Sequence, residues 1–302
     1  MRVRRDLLGS GLVLVAAVLW GTTGTARALT PAGTSPLSVG AVRIIIGGAA
    51  LLAAAHLHGG LGWGVRWPRG PVLAGTVAVA GYQLAFFSAV ARTGVAVGTM
   101  VAIGSAPVLA GLLAWLVRGE RPARRWYAAT LLAIMGCGLL ALAGQPVRFS
   151  PDGVTLALVA GATYAIYTVA AKELLARHGQ VQVMAVLFGG GALLLVPVAA
   201  LHPLGWLATV RGGLVALHLG LVATAGAYLL FAAGLHRVSV ARAATVSLAE
   251  PLTAAILGVA LLGERLTTAG IAGAAVLVAG LALLAAPSWT AATLPPSPGG
   301  RR

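Results

Sequence analysis

Acid is scarce in this chain. Asp and Glu together number six among 302 residues, against 21 Lys and Arg, and charged side chains of every kind make up 9%. A soluble domain carries roughly 25% charged residues, so these few could not cover the surface of a water-soluble protein of this length. Cysteine occurs once, at Cys137, which excludes a disulfide framework; standing alone in an apolar run, it reads as a small buried residue. The acids form no deep pair and no His-Glu-x-x-His sequence is present, which argues against an intramembrane hydrolase and predicts no metal or cofactor. The formal net charge of +15 is not a nucleic-acid footprint either, because Lys and Arg stand singly or in short groups between apolar stretches.

Apolar sequence is abundant. Hydrophobic residues reach 59% and mean hydropathy is +0.95, values that make the bilayer the main solvent. Ten segments approach the roughly 20 apolar residues needed to cross it: 7–26, 37–57, 71–91, 95–117, 126–142, 153–175, 181–201, 212–235, 243–262 and 267–286. Their connections are short, so an all-α membrane protein without a separate soluble domain is expected. The Pro- and Gly-rich stretch 287–302 reads as a disordered cytoplasmic tail. Arg2, Arg4 and Arg5 before segment one, with Ala26-Arg27-Ala28 after it, imitate a cleavable signal peptide. Against cleavage, segment one aligns at a constant offset with segment six: Gly9 with Gly153, Leu14 with Leu158, Ala16 with Ala160, Trp20 with Tyr164.

That offset is 144 residues, and it recurs. Pro107 is followed twelve positions later by Gly119-Glu120-Arg121, and Pro251 likewise by Gly263-Glu264-Arg265. The windows 107–122 and 251–266 agree without a gap at six of sixteen positions. With the N-terminus inside, fifteen of the 21 basic residues fall on the cytoplasmic side and five outside, leaving Arg43 within segment two; this bias supports ten crossings with both termini cytoplasmic. Five crossings per half is an odd number, so residues 146–286 would run upside down relative to residues 1–145. Two inverted five-helix repeats around a central site are the architecture of alternating access.

At Leu19-Trp20-Gly21, at Arg43, and from Glu250-Pro251 to Leu261-Leu262-Gly263-Glu264-Arg265-Leu266, the chain resembles the EamA-type family of the drug/metabolite transporter superfamily. The resemblance covers residues 6–286 and both halves. It implies a gradient-driven exporter of the inner membrane for amino acids, related metabolites or small cationic compounds. The partners expected are a small-molecule substrate and the lipid bilayer, with a second copy of the chain as an option and nucleic acid excluded.

An ionisable group near the bilayer centre costs roughly 2.5–3.5 kcal/mol on insertion scales, so each invites a functional reading. Glu250 lies about eight residues into segment nine, about 12 Å from its inner end, and Pro251 removes a backbone donor beside it. Its counterpart in the first half is Ala106, so duplication does not account for it. A carboxylate there can exchange protons or meet a cationic group, or it can be neutralised by hydrogen bonds in the bundle. Arg43 can bind a substrate carboxylate or hold helices near the interface. His218 can relay protons or pack between helices. The uncharged set Trp20, Tyr82, Gln83, Ser105, Tyr164 and Tyr167 is predicted to shape a cavity whose aromatics stack on the substrate or on a cation. Taken singly, each is better explained as interhelical packing; it is the cluster that points to a cavity. A channel would need rings of like groups, usually built by oligomers, which a single chain with paired halves does not favour.

Overall fold

The computed structural model describes residues 2–61, 66–143 and 150–286, and among them there is no strand. Nine helices follow in order: α1 Arg2–Ala28, α2 Pro36–Leu57, α3 Arg69–Arg118, α4 Arg124–Leu142, α5 Pro151–Leu174, α6 Gln180–Ala200, α7 Val210–Leu235, α8 Val240–Leu262 and α9 Thr268–Ala285. All nine are long and apolar enough to cross a membrane, so this is a multi-pass membrane protein. The tail 287–302 and the junction of the two halves at 145–146 lie outside the described residues.

The sequence predicts ten crossings, and the described residues form nine helices of spanning length; the difference is α3. Its 50 residues would stretch about 75 Å, far beyond the roughly 30 Å hydrocarbon core. Within it Gly94 takes φ 82° and ψ 166°, a conformation open to glycine because it has no Cβ. The break falls between the third and fourth predicted segments.

Local chemistry sets the other ends. Ser150, Thr209, Ser239 and Thr267 each accept a backbone N–H at the start of α5, α7, α8 and α9, satisfying donors that a helix leaves unpaired. Pro36 and Pro151 occupy first-turn positions where no donor is needed. Helices α3 and α8 end alike. Gly119 and Gly263 are left-handed, at φ 66° and 69°, and the next residue's N–H bonds back six residues, Glu120 to Ala114 and Glu264 to Gly258. A left-handed glycine is a common way to end a helix, so both Gly-Glu-Arg turns terminate a helix.

Small residues let the helices approach closely, and the contacts repeat across the chain. Gly9 of α1 lies against Arg237 and Val238. Its counterpart Gly153 of α5 lies against Arg92 and Thr93, and Thr93 stands 144 positions before Arg237. Helix α4 packs on α9 with Gly136 against Gly273 and Leu277, and Gly280 against Ala129 and Ala133. These pairings run in opposite sense along the two helices, so α4 and α9, each the last helix of its half, are antiparallel. Helix α2 packs on α6, α5 on α3, and α1 on α7 and α8.

Two helices are irregular where the halves meet. In α7, residues His218–Gly226 are π-helical, a form that recurs at functional sites. In α8 the winding lapses at Ser247 and Leu248 and resumes at Ala249. Pro251 therefore sits in the first turn of a restarted helix, where its missing N–H goes unmissed.

Candidate functional site

Two small cavities adjoin in the middle of the bundle, and both are lined by Tyr82 and Tyr164. The first, about 30 Å³, is also bounded by Trp20, Ile103, Ala106, Ser247 and Glu250. The second, about 10 Å³, is bounded by Gln83, Tyr167, Phe188 and Tyr228. Together they hold room for only a few waters at most. The site is therefore closed in this structure, and a solute of amino-acid size needs the helices to part.

The lining is largely aromatic. Trp20 lies 4.8 Å from Tyr228 and 5.3 Å from Phe231, and Tyr164 is 6.5 Å from both Tyr82 and Tyr167. Edge and tilted contacts of this kind hold rings rigidly and turn π-faces toward whatever enters, a cation included. Polar groups are few. The Tyr164 hydroxyl lies 3.1 Å from Ser247 Oγ, and Ser247 also donates to the Ala243 carbonyl at 3.1 Å. The Tyr167 hydroxyl donates to Met184 Sδ. Trp20 is 5% exposed, and its indole N–H has no hydrogen-bond partner. A buried donor left unpaired costs about 1–3 kcal/mol, which an acceptor arriving with a ligand would recover.

Glu250 makes no ion pair among the described residues, where the salt bridges are Arg92–Asp152 and Arg118–Glu120. It lines the larger cavity together with Trp20, whose buried N–H has no partner. A carboxylate and aromatic rings bounding one enclosed space can take a small polar solute, the carboxylate meeting an ammonium or a proton and the rings an apolar or cationic part.

Of the residues predicted from sequence, Trp20, Tyr82, Gln83, Tyr164, Tyr167 and Glu250 thus come together around the paired cavities. The others sit elsewhere. Ser105 donates to the Ala102 carbonyl at 3.2 Å and packs on Gly161. His218 lies 2.8 Å from Thr22 Oγ1, tying α1 to the start of the π-helical stretch. Arg43 is buried, donating to Thr224 Oγ1 at 3.2 Å and to the Ala223 carbonyl at 3.3 Å within that stretch. Reading the sequence alone misses Ser247, Tyr228 and Phe188. Ser247 had a signal, since it stands three residues before Glu250 and so on the same helical face; Tyr228 and Phe188 lie in uniformly apolar runs.

The lining carries the 144-residue offset into the site. Trp20 and Tyr164, Ile103 and Ser247, and Ala106 and Glu250 are counterparts, and all six bound the same cavity. Corresponding positions face one space, and in two of the three pairs the second half alone supplies the polar group.

Comparison with known proteins finds the same duplication of the chain. The profile of the EamA-like transporter family matches twice, at residues 7–142 and 152–286. The uncharacterized transporter YwfM of Bacillus subtilis is 44% identical over 277 residues, covering 91% of this chain and 92% of that one. A probable terminal-alkyne amino-acid exporter of Streptantibioticus cattleyicolor is 28% identical over 228 residues, 73% of this chain and 76% of its own. A solved crystal structure superposes with a TM-score of 0.79 at 25% identity, covering 91% of this chain and 96% of the other.

Proposed function

This chain belongs to the EamA-like transporter family, and from that premise we propose that it exports amino acids or related small metabolites across the inner cell membrane by alternating access. Ten crossings, with Gly94 separating the third from the fourth, form two inverted halves with both termini in the cytoplasm. The antiparallel packing of α4 on α9 and the exchange of Gly9 and Gly153 contacts support the inversion. The fifteen-to-five distribution of basic residues supports the orientation. The observation that carries the reading is a single carboxylate, Glu250, sharing a closed aromatic cavity with an unpaired indole N–H at the place where corresponding residues of both halves meet. Glu250 binds the substrate ammonium or carries the coupling proton.

The first Gly-Glu-Arg turn supports a gate. Glu120 Oε2 accepts the Val240 N–H at 3.1 Å while its other oxygen binds Arg118 at 2.8 Å. This fastens the end of α3 to the start of α8, from one half to the other. Glu264 lies exposed over Gly258 of its own helix. When the opposite end closes, the inverted symmetry has Glu264 take the corresponding donor, the Ala96 N–H.

A second reading, export of cationic compounds, draws on the same observation, because a carboxylate among aromatic faces suits a quaternary ammonium. Counterflow in proteoliposomes decides between them. Vesicles loaded with unlabelled amino acids should accumulate labelled amino acid; accumulation driven only by organic cations would replace the first reading with the second, and none with either would overturn both.

A further inference from the structure

A second pair of cavities lies away from the central site. A vestibule of about 750 Å³ opens at the end of the bundle where Glu120 meets Val240. Arg5, Arg121, Arg125, Lys172, Arg237 and Arg242 line it, against the carboxylates of Asp6 and Glu120, and Glu120 is already bonded to Arg118 and Val240. Some of these cations hold the wall: Lys172 donates to the carbonyls of Leu235 and Val238 at 2.6 and 2.8 Å, and Arg242 to Ser10 at 2.9 Å. The vestibule keeps a cationic rim at Arg121, which is exposed.

Beside it runs a groove of about 640 Å³ between the second part of α3 and α4. Val108, Leu112, Trp115, Tyr127 and Leu131 line it and are exposed by 47–60%, on helices whose outer faces meet lipid. Arg121, Pro122 and Trp126 border both spaces, and exposed Arg124 stands at the groove's mouth. One rim thus joins an anion-attracting hollow to an apolar channel. Trp115 and Tyr127 have the amphipathic rings that settle at the headgroup level of a bilayer.

We infer that this composite is a binding site for one anionic phospholipid, its phosphate between Arg121, where vestibule and groove meet, and Arg124 of the groove, and an acyl chain in the groove. A soluble anion would fill the hollow and leave the groove bare; an uncharged apolar molecule would do the reverse. The surrounding membrane supplies the amphiphile, and basic pockets between crossing helices select anionic headgroups. Neither the transported substrate nor the direction of transport enters this inference.

Native mass spectrometry of the full chain released from mixed bilayers tests it. Phosphatidylglycerol should remain bound at one per chain at least fivefold more often than phosphatidylcholine. Replacing both rim arginines (R121Q with R124Q) should remove most of that preference. Filling the groove by Leu131→Trp should lower retention several-fold with every charge intact, and it keeps the test decisive if the arginine variant does not fold. Equal retention of the two lipids, displacement of phosphatidylglycerol by millimolar inorganic phosphate, or retention unchanged in Leu131→Trp would each overturn the assignment.

Discussion

The two Gly-Glu-Arg turns end their helices with the same left-handed glycine and the same six-residue back-bond, yet their glutamates do different things. Glu120 reaches across to the other half and caps Val240; Glu264 folds over Gly258 and stays exposed. The central cavity divides in the same way, with Ile103 and Ala106 on one side and their counterparts Ser247 and Glu250 on the other. Backbone architecture is duplicated while side-chain chemistry is not. On the proposed account, alike halves give two states of matching geometry, and unlike residues at matching positions decide which state is held and what enters.

Moving the acid to the mirrored position breaks the comparison most sharply. The double change Glu250→Ala with Ala106→Glu restores one carboxylate to the cavity but places it beside Ile103 instead of Ser247. Transport in proteoliposomes should still fall at least tenfold; recovery to half the original rate would mean that the two walls are equivalent. Shared architecture predicts the opposite, equal damage, at Gly136 and Gly280. A Cβ at the first would collide with the Leu277 nitrogen, and at the second it would stand 2.7 Å from the Ala133 nitrogen. Alanine at either should cost about 1–3 kcal/mol, lowering the thermal midpoint similarly in both; a large loss at one only would contradict the matched packing.

The glutamates should again differ. Glu120→Ala removes a helix cap worth about 1 kcal/mol and loosens the vestibule end. A cysteine at Ala244, in a Cys137→Ala background, should then react several-fold faster with a water-soluble thiol reagent. Glu264→Ala should leave that rate unchanged, and equal acceleration by both would sink the assignment of the gate. The smallest effect is at the indole. Trp20→Phe removes the unpaired N–H and should raise KM a few-fold with kcat little altered, whereas an unchanged KM would take Trp20 out of substrate contact.

Much of this is legible in the sequence. Long apolar segments, their basic flanks and the constant offset come from bilayer physics, which leaves a strong imprint on composition. Glu250 stands out because an acid deep in an apolar segment is expensive. The partners of Arg43 and Glu120 are not legible. Arg43 finds Ala223 and Thr224 only where α7 departs from α-helical winding, and no residue pattern in that Gly- and Ala-rich stretch announces a π-helix. Glu120 finds Val240 across 120 positions, a contact made by how the halves dock. The continuity of α3 up to Gly94 is hidden too, because Arg92 and the glycine read as a loop while Thr93 closes the turn by bonding the Ala89 carbonyl.

The role of Glu250 meets its most direct test in Glu250→Gln, reconstituted and assayed twice. Uptake driven by an imposed proton gradient should be abolished. Counterflow, which needs no net proton movement, should persist at reduced affinity if the carboxylate carries the proton, and be lost as well if it binds the substrate ammonium. Gradient-driven uptake equal to that of the unaltered protein would contradict either role.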